Sequence, residues 1–253
     1  MSAGTPLLEL RKLSLRFKQQ QQAAVDRVSF SINAGSTLGL AGASGAGKSS
    51  IARAIMGLIK PDSGEIFFKG EDILQMNARQ LAATRQRIQI IFQNPTASLS
   101  PRRSIEQTLL EPLKHFAIGD DNSRQEKIRR ILTTVGLDAD VLQRYPHQFS
   151  SGQQQRIAVA RALVTDPELL IADEAVSALD VSVQAQILQL FQNLQKERGI
   201  AFLFISHDLA VIRQIAHQVA IIYRGQLLEH TSADSFFGGP AHAYSKSLLD
   251  SAA

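Results

Sequence analysis

A chain of 253 residues with 44% hydrophobic and 20% charged side chains can bury one large core or two small ones, which excludes a disordered polymer. It contains no cysteine, so disulfides, thiolate metal sites and a cysteine nucleophile are excluded. The formal charge is +4 and the basic residues are scattered rather than gathered into a stripe with stacking aromatics, so no nucleic-acid partner is expected. The one basic cluster, at 124–130, reads as a solvated helix face.

In chain order, the first residues lack the basic, apolar and small-residue succession of a signal peptide. Segments 7–17 and 25–32 read as strands joined by a polar turn that carries the glutamines 19–22. A short apolar strand is expected at 36–41, a helix at 48–58, a turn at Pro61-Asp-Ser-Gly64 and a strand at 65–69. A buried strand at 88–92 leads into Gln93-Asn-Pro95. From there to about Tyr145 the spacing turns helical, with Ile105, Leu109 and Leu113 on one face, then Ile128, Ile131, Leu132 and Val135.

After that helical insertion, strand and helix alternate: strand 169–172, helix 183–198, strand 200–205, helix 209–217 and strand 219–223. Such alternation predicts a parallel sheet flanked by helices, and hence one α/β domain carrying the insertion. The most apolar stretches, 38–60 and 200–213, are interrupted by Lys48 and by His207 and Asp208. Neither offers the roughly 20 apolar residues that cross a bilayer, so any work at a membrane needs another chain to span it.

Gly42-Ala43-Ser44-Gly45-Ala46-Gly47-Lys48-Ser49 fits G-x-x-x-x-G-K-[ST] between a strand and a helix, with Ser50 following. Glycines let the backbone curl around phosphates, and the helix start adds its positive dipole end. Lys48 would neutralise the β- and γ-phosphates of ATP and the Ser49 hydroxyl would ligate Mg²⁺. The apolar strand 169–172 delivers Asp173 and Glu174 to its C-terminal end, where ligands of open α/β sheets bind. Asp173 is expected to hold Mg²⁺, directly or through water, and Glu174 to polarise the attacking water as general base.

Three further positions carry two readings each. His207 either caps the next helix or bonds the γ-phosphate from the end of a neighbouring strand. Gln93 is either a turn residue or a ligand of Mg²⁺ and water. Ser150, ahead of Ser151-Gly152-Gln153, is either a plain N-cap or part of an anion-binding helix start.

The P-loop, Gln93, Ser150–Gln153, Asp173-Glu174, Ser177-Ala-Leu-Asp180 and His207 follow the motif order of the nucleotide-binding subunits of ABC transporters, and the resemblance spans essentially the whole chain. The segment Phe92-Gln-Asn-Pro-Thr-Ala-Ser-Leu-Ser-Pro101-Arg and the tail Gly239-Pro-Ala-His-Ala-Tyr-Ser resemble the oligopeptide, dipeptide and nickel importers.

The resemblance implies a P-loop NTPase core of RecA-like type, an antiparallel β subdomain, a helical insertion at about 94–158 and a family-specific tail at about 232–253, all within one domain. It also implies a peripheral ATPase on the cytoplasmic face of the cell membrane. Its partners would be a second ATPase subunit (a paralogue or a second copy), two permease subunits and an extracytoplasmic binding protein. ATP on one chain would be closed over by Ser150, Ser151, Gly152 and Gln153 of the other, with Asp180 at the seam and Phe17 stacked on adenine.

Ser151 stands where the family's signature has glycine, so the paired sites are expected to be unequal. Ala175-Val176 replaces the usual Pro-Thr without touching either carboxylate. A soluble ATPase serving a multi-subunit enzyme, such as a carbon–phosphorus lyase complex, is the alternative, and the importer-like segment and tail weigh against it. A nucleotide-gated module that scarcely hydrolyses is a third reading, opposed by Glu174 and His207.

Overall fold

In a computed structural model, residues 5–17 and 23–251 are described; the glutamine turn expected at 19–22 lies outside them. The elements are β1 (Leu8–Leu15), β2 (Val25–Ile32), β3 (Thr37–Ala41), α1 (Lys48–Ile55), β4 (Ser63–Phe68), β5 (Glu71–Asp72), α2 (Ala78–Arg87) and β6 (Ile88–Phe92). Next come α3 (Pro95–Ser98), α4 (Ile105–His115), α5 (Asp121–Thr134), α6 (Ser151–Leu163), β7 (Leu169–Asp173) and α7 (Val181–Arg198). The chain continues through β8 (Ala201–Ser206), α8 (Leu209–Ile215), β9 (Gln218–Tyr223), β10 (Gln226–Ser232), α9 (Ala233–Gly238) and α10 (Ala243–Ser251).

Two sheets form. One is antiparallel, ordered β2-β1-β4-β5. The other runs β10-β9-β3-β8-β7-β6, parallel except for the β9–β10 pair. Strands β3, β7 and β8 are buried at every position, as expected where both faces of a parallel sheet are covered. Their side chains divide by the period-two rule. Leu203 and Ile205 of β8 join the core shared with the antiparallel sheet and α1, while Phe202 and Phe204 join the core of α4–α8. This accounts for both the parallel sheet and the second, antiparallel unit expected from sequence.

The insertion is helical, as the spacing predicts. Ile105, Leu109 and Leu113 of α4 are buried on one face, and Ile128, Ile131 and Leu132 of α5 meet them in the same core. Helix α6 packs against α3, α4 and α5 and also against β6 and α7, joining the insertion to the main sheet.

Several expected boundaries move. The first strand ends at Leu15, leaving Phe17 beyond it. Helix α1 stops at Ile55, before Gly57 at φ 64°. Strand β4 starts at Ser63 and takes in half of the expected turn, because Ser63 pairs with Ser14. Helix α7 starts two residues early, at Val181, because the Asp180 carboxylate accepts from the Val183 N–H and caps it.

Five elements, β5, α2, β10, α9 and α10, were not read from sequence. Helix α2 buries only Thr84, so it has no apolar stripe, and its signal is the capping box between Asn77 and Gln80. Strand β10 follows a two-residue turn, Arg224-Gly225, in which both residues have positive φ. Helix α10 lies in the tail. Among the described residues, no helix is long and apolar enough to cross a membrane.

Candidate active site

The register of the parallel sheet assembles the site. Phe92 of β6 pairs with Asp173 of β7, Asp173 with Ile205 of β8, and Ser206 with Ala41 of β3. Gln93, Glu174, His207 and Gly42 each follow one of these strand ends, so four loops leave one edge together. A cavity of ≈ 430 Å³ opens there, lined by Phe17, Ala24, Ser44, Gly45, Gly47, Lys48, Ser49, Ser50, Gln93, Asp173 and Glu174. Gly42, Ala43 and Ala46 do not line it; they shape the loop behind it.

The loop is built for a ligand of close approach. Gly42 has φ 151° and Gly47 has φ 104°. A Cβ on Gly42 would fall 2.0 Å from the Ile222 carbonyl oxygen, and one on Gly47 would fall 2.2 Å from that of Ala24. No side chain fits at either place. Gly47 is the N-cap of α1 and no side chain caps the helix, so its first N–H groups remain available to an anion. Ile51, Ala52, Ala54 and Ile55 bury the opposite side of α1 and hold its start in place; each isoleucine contributes about 1.5–3 kcal/mol.

Lys48 is 4% exposed, and its Nζ donates to the carbonyls of Gly42 (2.7 Å) and Ala43 (2.9 Å). Burial pushes its pKa down, opposed by the charges of Glu174 and Asp173. The Ser49 hydroxyl donates to Asp173 Oδ1 at 3.0 Å. Burial pushes the Asp173 carboxyl up, against the lowering effect of that hydrogen bond. A hydroxyl and a buried carboxylate set side by side are hard oxygen donors, and they fit an ion of the Mg²⁺ kind.

Glu174 departs from strand geometry. Its φ is 51°, in the left-handed region that non-glycine residues rarely occupy, and its N–H donates to the Ile205 carbonyl at 3.0 Å. That twist turns its carboxylate along the sheet edge, with Oε1 lying 3.5 Å from His207 Nδ1. Gln93 Nε2 reaches the Ser177 hydroxyl (3.3 Å), which in turn donates to the Glu174 carbonyl (3.0 Å). Gln93, Asp173, Glu174 and His207 therefore form one contiguous group. Capping of α8 is carried by Asp208, whose carboxylate accepts from Ala210 and Val211, and not by His207.

The other expected residues lie elsewhere. None of Ser150, Ser151, Gly152, Gln153 and Asp180 lines the phosphate cavity of this chain. Ser150 caps α6: its hydroxyl accepts from the Gln153 N–H (3.3 Å) while the Gln153 side chain accepts from the Ser150 N–H (3.1 Å). Gly152 is buried, and a Cβ there would lie 2.5 Å from Val183, so the glycine lets α6 approach α7. Ser151 and Asp180 are exposed.

Two contributors were missed. Ala24 forms part of the cavity wall. The Gly225 N–H donates to the Ala46 carbonyl (3.1 Å), and its own carbonyl accepts from Asp26, so the β9–β10 turn braces the phosphate loop. The available signal was Arg-Gly between two alternating segments.

A family model described as ABC transporter matches residues 25–177, more than half of the chain. The chain is 44% identical over 247 residues to a Brucella ovis protein provisionally named a peptide import ATP-binding protein, covering 97% of this chain and 78% of that one. It is 44% identical over 255 residues to the glutathione import ATP-binding protein GsiA of Salmonella paratyphi A, covering 97% of this chain but 41% of that one. Among solved structures, the dimeric post-hydrolysis ATP-binding cassette MJ0796 bound to ADP and Pi superposes with a TM-score of 0.80 at 26% identity, over 89% of this chain and 98% of that one. The cbiO1 protein of Clostridium perfringens superposes with a TM-score of 0.83 at 24% identity, over 93% and 92% of the two chains, a likeness of fold.

Proposed function

The chain belongs to the ABC transporter family of ATPases, and from that premise we propose that it hydrolyses ATP to energise the import of peptides through a membrane complex. The observation that carries the reading is the convergence on one sheet edge of an uncapped, glycine-built helix start, a buried lysine and two adjacent carboxylates. Peptides are the proposed cargo class because the Brucella and Salmonella relatives are named for peptide and glutathione import. Nickel remains an expectation of the sequence resemblance.

ATP binds with its phosphates on the N–H groups of the 42–50 loop and Lys48 against the β/γ oxygens, exchanging its two carbonyl partners for them. Phe17 supports the base from the cavity rim. Ser49 and Asp173 would hold Mg²⁺, which would supply charge neutralisation to the phosphates. Glu174 takes the proton of the attacking water, and His207, 3.5 Å from Glu174, orients water and γ-phosphate. Gln93 responds to the γ-phosphate and passes its position to the adjoining helical insertion. Residues 150–153 act across a dimer seam on a partner's nucleotide and Asp180 lies at that seam, which fits their absence from this chain's own cavity. Two permeases and an extracytoplasmic binding protein complete the importer, and the ATPase sits on the cytoplasmic face of the membrane.

Glu174→Gln provides the test. In the complex purified with its membrane subunits, hydrolysis should fall about 10²- to 10⁴-fold with ATP still bound, as loss of a general base predicts. An unchanged rate would remove Glu174 from the mechanism. Purification of the chain without any integral membrane partner would remove the transport reading and leave the ATPase standing.

A further inference from the structure

His207 is held less firmly than its neighbours. The backbone around it is fixed: the Asp208 N–H donates to the Ser206 hydroxyl (3.0 Å), and the Asp208 carboxylate caps α8. The imidazole itself is 57% exposed, and its contact with Glu174 is at 3.5 Å. On its other side lies a second cavity, of ≈ 290 Å³, with Ala41, Gly42, Asp208 and Leu209 on one wall and Leu248 and Ser251 of α10 on the other.

The tail that supplies this second wall is moored at several points. The Glu229 carboxylate of β10 accepts from the N–H groups of Ala241 (2.9 Å) and His242 (3.3 Å). His242 Nδ1 accepts from the Tyr244 N–H at 3.1 Å, fixing the first turn of α10. The Tyr244 ring lies 4.3 Å from the ring of Tyr223, the last residue of β9. Tyr223 is followed directly by the turn whose Gly225 braces the phosphate loop through Ala46. The tail is thus secured to the same hairpin that supports the P-loop, and its far end bounds the cavity beside His207.

We propose that α10 is a positioning element for hydrolysis, with Leu248 bounding the cavity beside His207 and Tyr244 as its mooring, limiting the space open to the His207 imidazole so that it favours orientations that meet Glu174 and the γ-phosphate. The proposal rests on the role assigned to His207 above. A half-exposed imidazole loses rotamer freedom when one side of its space is walled off, and small misplacements of a positioning group carry large rate penalties. Neither Leu248 nor Tyr244 lines the nucleotide cavity, so their loss acts on the rate more than on nucleotide affinity.

In the full membrane complex, Leu248→Ala and Tyr244→Ala should each lower kcat for ATP by about 3- to 10-fold and leave KM within about twofold, since misplacing a group at the reaction centre affects the transition state. Tyr244→Phe keeps the ring contact and should retain the parent kcat. Combined with His207→Ala, neither alanine variant should lower kcat further, because the tail acts through that imidazole. The proposal is overturned if His207→Ala lowers kcat while both tail variants leave it intact, or if tail and His207 effects multiply. An unchanged kcat in His207→Ala would instead remove the premise, and the tail proposal with it.

Discussion

Two helices of this chain begin with small polar and glycine residues, and they begin in opposite states. Helix α1 starts at Gly47 with φ 104° and no capping side chain, so its N–H groups face the cavity with their bonds unmade. Helix α6 starts at Ser150 within a complete capping box, which satisfies the N–H groups of Ser150 and Gln153. An anion-binding start has to be left open by the fold, whereas a self-capped start is stable without a ligand. The first lines the candidate site of this chain; the second is a side-chain-capped helix end with Ser151 exposed.

Substitution of the two N-caps sharpens this contrast most. Gly47→Ala places a Cβ 2.2 Å from the Ala24 carbonyl at a φ that disfavours any side chain. It should cost about 3 kcal/mol or more and abolish nucleotide binding. Ser150→Ala loses only a cap and should cost about 1 kcal/mol, with nucleotide binding by the isolated chain unchanged. Chemical denaturation and a fluorescent-nucleotide titration measure both. Equal losses of affinity would break the distinction between the two starts.

Charge separates the regions next. Burial raises the Asp173 pKa, so its ionisation opposes folding of the unliganded chain. Stability contributed by the neutral acid is full below the ordinary aspartate range and is lost as pH rises through the raised folded-state value. Asp173→Asn should flatten that pH dependence in thermal melts, stay as stable as the parent at neutral pH, and lose Mg²⁺-dependent hydrolysis. A parent whose stability climbs through the same window would contradict the assignment.

The smallest expected effect is at the second helix start. Ser151→Gly in the assembled complex should raise ATP affinity or rate by no more than one neutral hydrogen bond is worth, about 0.5–1.5 kcal/mol or roughly 2- to 12-fold. No gain would mean that the serine does not weaken the partner's site.

The same contrast explains what could be read in advance. The Gly42–Ser49 loop is legible because its pattern is contiguous in the chain, eight residues that fit G-x-x-x-x-G-K-[ST]. Asp173 and Glu174 are legible as carboxylates ending a strand, but the left-handed φ of Glu174 and its approach to His207 depend on pairing between strands more than thirty residues apart. The bracing of the P-loop by Gly225 joins positions far apart in sequence and leaves no periodic trace. Helix α2 escaped notice because it buries a single threonine, and α10 because its buried positions make sense only against the surface it covers. Phe17 lines the cavity, yet it lies past the end of β1, so periodicity could not have placed it.

The most direct measurement is the ATP affinity and turnover of Lys48→Ala in the intact chain, with a denaturation curve to establish folding. Lys48 bonds two loop carbonyls from a nearly dry position, and phosphate oxygens, being charged, would replace those bonds with stronger ones. A hydrogen bond to a charged group is worth about 1.5–3 kcal/mol, so affinity should fall about 10- to 150-fold and turnover at least as far. A folded Lys48→Ala protein that binds and hydrolyses ATP like the parent would contradict the account at its root.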